Sequence, residues 1–178
     1  MTAVLLLSGS TRAGSTSTAA LRTLAALEPD RTRLYAELVA LPAFDPDLDA
    51  DPLPPPVARL RAALGEAAGV LVCTPEYAGA LPGAFKNLLD WTVGGHEMPG
   101  LPVGWVNVSS IAAPTGGRGA HDELRTVLGY VQARVVDDAC RRHPLSRGDV
   151  GADGLVADPA THRVLREVLA AVLSAGRA

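Results

Sequence analysis

The sequence predicts an α/β protein: a five-stranded parallel sheet with helices on both faces. Short, nearly continuous apolar runs, each bounded by Gly, Pro or Ser, mark strands buried on both sides. Between them apolar residues return at intervals of three and four, the spacing of helices with one buried stripe. Alternation of the two patterns along the chain points to parallel strands joined by crossover helices.

The first strand is Ala3 to Leu7, and the helix after it carries Ala20, Leu21, Leu24 and Leu27. Arg31 to Tyr35 is a weaker second strand. Leu41 to Pro56 is irregular, rich in Pro and Asp, and reads as a solvated surface connection. Asp45, Asp47, Asp49 and Asp51 alternate there as in a calcium loop, but Ala50 stands where the sixth position needs Gly and Pro56 where the twelfth needs Glu. Val57, Leu60 and Leu64 mark the second helix, Val70 to Cys73 the third strand, and Phe85, Leu88 and Leu89 the third helix. Val103 to Val108 is the fourth strand, followed by a helix on Leu124, Val127, Leu128 and Val131. Ala133 to Val136 is a weaker fifth strand. The last helix presents adjacent rows, Val164, Val168, Val172 and Leu165, Leu169, Leu173, that make one broad buried face.

The length of 178 residues suits one domain, residues 1–178, able to bury about 70% of its unfolded surface without disulfides. Cys73 and Cys140 lack CxxC spacing and neighbouring His, so neither a disulfide framework nor a metal site is expected. A net charge of −3 without a basic face argues against nucleic acid. No apolar segment approaches the roughly 20 residues of a membrane span, and the N-terminus has no secretory pattern. A cytoplasmic setting with no membrane partner is expected.

The loop after the first strand, from Gly9 to Thr18, is crowded with hydroxyls. As a triphosphate loop it lacks the lysine, since Ser15 and Thr16 follow Gly14, and as a dinucleotide fingerprint it lacks the second Gly. It suits a terminal phosphate monoester, which the hydroxyls of Ser10, Ser15 and Ser17, the guanidinium of Arg12 and the unpaired amides of a helix start can surround. The competing account is that Ser15 or Ser17 simply caps the helix. Two further small-residue loops, Thr74 onwards and Ser109 onwards, follow the third and fourth strands. In a sheet of order 2-1-3-4-5 all three loops emerge at one edge beside the switch point, where ligands bind.

Gly9 to Ser17, Pro75-Glu76-Tyr77, Leu81-Pro82-Gly83 with Lys86-Asn87 and Asp90-Trp91, and Gly116-Gly117-Arg118-Gly119 together resemble the signatures of the NAD(P)H-dependent FMN reductase family. The resemblance implies a flavodoxin-like three-layer sandwich, FMN as cofactor, NADPH or NADH as co-substrate, and a homodimer or homotetramer. It implies that Ser10, Arg12, Ser15 and Ser17 hold the phosphate, with Thr16 also among the cofactor-binding residues. Pro75, Glu76, Tyr77, Ala78 and Gly79 would lie against the isoalloxazine ring, with Gly116 and Gly117 closing its other edge. Two positions depart from the family: Ser17 and Ala78 stand where Asn is usual.

Hydride transfer from a nicotinamide to a flavin needs proximity and stacking rather than a protein base, so no catalytic side chain is assigned. The small acceptor would be a quinone, azo compound, metal oxyanion or free flavin. Rival readings are an FMN-binding electron carrier or sensor without nicotinamide activity, and an interaction subunit that has lost its flavin. Lys86 and Asp90 read as an intrahelical pair, Trp91 and Trp105 as core or interface, and His121-Asp122 as neighbours pointing apart.

Overall fold

The computed structural model describes residues 3–176. Its strands are β1 (Val4–Ser8), β2 (Thr32–Tyr35), β3 (Gly69–Cys73), β4 (Pro102–Asn107) and β5 (Arg134–Arg142). The helices are α1 (Thr16–Leu27), α2 (Pro55–Glu66), α3 (Gly83–Asp90), α4 (Arg118–Tyr130) and α5 (Pro159–Ala175). The sheet runs β2-β1-β3-β4-β5 with every neighbouring pair parallel, as the sequence predicts.

Strand alternation divides the core into two layers. Leu5, Leu7, Val70, Val72, Val103 and Trp105 pack with Leu60 of α2, Phe85 of α3 and Leu124 of α4. Val4, Leu6, Leu71, Cys73 and Val106 pack with Leu21 of α1 and Leu169 of α5. Each fully buried Leu or Val contributes about 1.5–3 kcal/mol relative to exposure, and β1 and β3 are buried almost throughout. That is why their sequences read as unbroken apolar runs.

One expectation needs correction. The fifth strand begins one residue later than Ala133 and runs on to Arg142, six residues beyond Val136. Asp137, Asp138, Arg141 and Arg142 hid its length, yet such charges are tolerated on an edge strand whose outer side faces water. Register also breaks here: Val103 pairs with Val135 but Trp105 with Cys140, so β5 carries extra residues and bends.

The connection around Asp45–Asp51 is solvated as expected, with Asp45, Asp47 and Asp51 exposed, but it is also pinned. Asp49, with a side chain only 10% exposed, pairs with Arg61 at 2.5 Å, and Arg61 also donates to the Trp91 carbonyl. Asn87 accepts from Phe44 N at 2.7 Å and donates to Pro42 O at 2.8 Å, and Trp91 Nε1 donates to the same carbonyl. Asn87 and Trp91 therefore fasten this segment to α3. Lys86 pairs with Asp90 at 2.6 Å as predicted, and Trp91 and Trp105 are buried. Among the described residues no helix is long and apolar enough to cross a membrane.

Candidate functional site

The loops after β1, β3 and β4 meet at one edge of the sheet. In the first, Ser10 Oγ accepts from the Arg12 amide at 3.3 Å, and Ser8 Oγ and Thr18 Oγ1 are 2.7 Å apart across the loop base. Ser15 is the N-cap residue of α1, but its side chain makes no capping bond. The first bond from the helix back to that residue runs from Ala19 N to Ser15 O at 2.8 Å, so the amides of Thr16, Ser17 and Thr18 lie ahead of the helical ladder. This removes the capping account for Ser15. Ser17 is buried and its side chain contacts the thiol of Cys73, whose pKa burial pushes up to about 12.

A cleft of about 300 Å³ opens above this helix start. Arg12, Thr16, Ser17 and Pro75 line it as the sequence predicts, whereas Ser10 and Ser15 do not. Ser109 and Ser110 join from the loop after β4, and Ser146 and Arg147 from the connection after β5. No carboxylate lines it. Ser109 and Ser110 were legible as residues just past a strand end; Arg147 carries no such signal, because only the path of the chain after β5 brings it there.

The second loop is a miniature hairpin. Tyr77 and Ala80 exchange two backbone bonds of 3.0 Å, with Ala78 at φ 52° and Gly79 at φ 78° between them. Positive φ at both central residues is the type I′ turn that Asn-Gly satisfies best, and Ala78 is an L-residue with a Cβ in that conformation. Tyr77 is half exposed.

Glu76 clasps this loop to the third. Its carboxylate accepts from Thr115 Oγ1 and, at 3.3 Å, from Ala120 N, and the Thr115 bond foremost holds its pKa below the usual 4.5. Glu123 of α4 adds a second clasp by accepting from Leu81 N at 2.6 Å. Asn107 at the end of β4 shapes the third loop, donating to Gly116 O at 2.8 Å and accepting from Ser109 N at 2.9 Å. Gly116 and Gly117 both take positive φ where α4 begins. Gly119 sits so close that a Cβ there would lie 2.1 Å from the Gly79 carbonyl oxygen.

A wider cleft of about 650 Å³ lies between α4 and β5, bordered by Trp105, His121, Arg125 and Cys140, and of the predicted site residues only Gly116 reaches it. Its Arg125 is committed to Asp137 at 2.9 Å and lies over the Trp105 ring. His121 is buried, so its imidazole titrates below the usual 6.5, while Asp122 beside it is exposed. His121 Nδ1 donates to Gly117 O at 2.7 Å, which leaves Nε2 unprotonated and without a hydrogen-bond partner.

The family model described as NADPH-dependent FMN reductase matches residues 2–141, which contain all three loops. The chain belongs to the NADPH-dependent FMN reductase family. An NAD(P)H-dependent FMN reductase of Pseudomonas aeruginosa is 32% identical over 150 residues, 83% of this chain and 75% of that one. A quinone reductase of Escherichia coli K12 is 32% identical over 139 residues, 75% and 73% of the two chains. Among solved structures, FerB of Paracoccus denitrificans, a flavoenzyme NAD(P)H:(acceptor) oxidoreductase, superposes with a TM-score of 0.74 at 25% identity, covering 98% of this chain and 96% of its own. The fold of this FMN reductase family member is flavodoxin-like.

Proposed function

We propose that this FMN reductase family member uses bound FMN to pass electrons from NADPH or NADH to a small acceptor of the quinone class. The observation that carries the reading is the cleft at the head of α1. Arg12, Thr16 and Ser17 meet unpaired helix-start amides there, and no carboxylate lines the space. Such a donor set fits a phosphate dianion, because guanidinium forks and amides at a helix N-terminus both favour negative charge.

When bound, FMN supplies the two-electron chemistry that couples nicotinamide to acceptor. The chain's own residues bind and orient it. Arg12, Thr16 and Ser17 anchor the phosphate, with Ser10 and Ser15 shaping the loop beneath. Pro75 to Gly79 offer a backbone hairpin to one side of the ring, and Gly116 and Gly117 its other edge. Glu76 acts as a brace rather than a proton carrier, since its carboxylate is occupied by Thr115 and the Ala120 amide. Holding the two ring-facing loops in one register is what proximity catalysis requires of a scaffold. Exposed Tyr77 and Ile111 on those loops support assembly as a homodimer or homotetramer, and the cysteines, both free thiols, suit a cytoplasmic setting.

The absorbance spectrum of the purified protein and extraction of its cofactor test the reading directly. A flavin spectrum that bleaches within seconds of anaerobic NADPH or NADH is the expected result. Persistence of the oxidised spectrum at millimolar nucleotide would instead mean an electron carrier. Colourless protein that takes up no FMN would overturn the reading.

A further inference from the structure

We propose that Arg147 is a second guanidinium of the phosphate cradle and makes the site selective for a terminal phosphate monoester; this rests on the FMN reading above. Arg147 lies beyond residues 2–141, the span shared with the family model. The chain nevertheless carries it back to the site. After β5, His143 N donates to Asn107 O at 2.9 Å and Leu145 N to Val108 O at 3.1 Å, so the segment runs across the end of β4. Leu145 is buried in the α1–α5 layer, and His143 Nε2 is 2.8 Å from Thr161 Oγ1 of α5.

The backbone on either side of the arginine is thus fixed. Ser146 N and Oγ both donate to Asp149 Oδ2, at 2.6 and 2.9 Å, closing a one-turn box around Arg147. That box also occupies the nearest carboxylate in sequence. The Arg147 guanidinium itself has no ion pair or side-chain hydrogen bond among the described residues, and Arg12 has only a 3.4 Å contact to Gly14 O. Two unneutralised guanidiniums border one 300 Å³ cleft whose lining contains no acid. Both side chains are exposed, so water screens their mutual repulsion in the empty site, while a bound dianion is attracted by both. A monoester concentrates close to two negative charges on one phosphate at neutral pH, each phosphate of FAD's pyrophosphate carries one, and riboflavin has none.

Dissociation constants for FMN, FAD and riboflavin, measured by fluorescence on apoprotein, test this in the wild type, Arg147→Ala, Arg147→Lys and Arg12→Ala. Arg147→Ala is expected to weaken FMN about tenfold, leave riboflavin unchanged and narrow the preference for FMN over FAD; Arg147→Lys recovers part of the loss. Apoprotein melting temperature should not move, because the side chain contacts nothing that holds the fold. Equal losses for FMN and riboflavin would overturn the inference, as would unchanged FMN affinity in Arg147→Ala while Arg12→Ala binds poorly. In that last case the FMN reading stands. Failure of the wild type to bind FMN at all would reject both.

Discussion

Ala78→Asn probes the hairpin that faces the proposed ring site. Ala78 holds φ at 52° between two backbone bonds of 3.0 Å, so the turn itself imposes a left-handed conformation on a residue with a Cβ. That conformation costs an ordinary L-residue roughly 1–2 kcal/mol, and Asn, whose short amide tolerates it, recovers about 1 kcal/mol. Ala78→Gly removes the same strain but loosens the unfolded chain by about 0.5–1 kcal/mol, which leaves it close to neutral. The expected order of apoprotein stability is therefore Asn first, with Gly and Ala close together. Urea unfolding should show a higher midpoint for Ala78→Asn at unchanged slope, and thermal unfolding a rise of about 2–4 °C for a chain of this size. FMN affinity should improve as well, by up to about tenfold if the new amide reaches the ring. An Asn variant no more stable than the wild type would refute the turn analysis, whatever happened to flavin affinity.

Gly119→Ala forces the second and third loops apart, because a Cβ 2.1 Å from a backbone oxygen must be relieved by a shift of nearly 1 Å. A displacement of that size at a positioning loop lowers kcat/KM by about tenfold to a hundredfold, and steady-state kinetics with wild-type values would show that the loops do not act together. His121 makes stability depend on pH. Burial, ahead of its bond to Gly117, holds the imidazole below its usual 6.5, so on acidification the unfolded chain takes up the proton first. Stability should fall as pH drops below the usual imidazole value of 6.5, and His121→Gln should flatten that part of the curve in urea titrations; superimposable profiles would reject the assignment. The Glu76 carboxylate, held below 4.5 chiefly by Thr115, contributes in the same sense only at still lower pH.

The sequence by itself determined the sheet, because strands buried on both faces must be apolar throughout and helices packed on one face must repeat at three and four. From that alternation follow the parallel order and the edge at which β1, β3 and β4 release their loops. Arg12, Thr16, Ser17 and Pro75 were legible because each sits between a strand end and the first turn of the helix that follows it. The charged stretch of β5 was not, since an edge strand relaxes the apolar rule that makes central strands visible. The strain at Ala78 came from a turn whose dihedral angles no single residue announces. Arg147 was hidden for a different reason: it stands 135 positions after Arg12, and local patterns do not say where a chain will turn once it leaves its last strand. Packing of Leu145 against the α1–α5 layer, together with the bonds from His143 and Leu145 to the end of β4, decided that the two guanidiniums share one cleft.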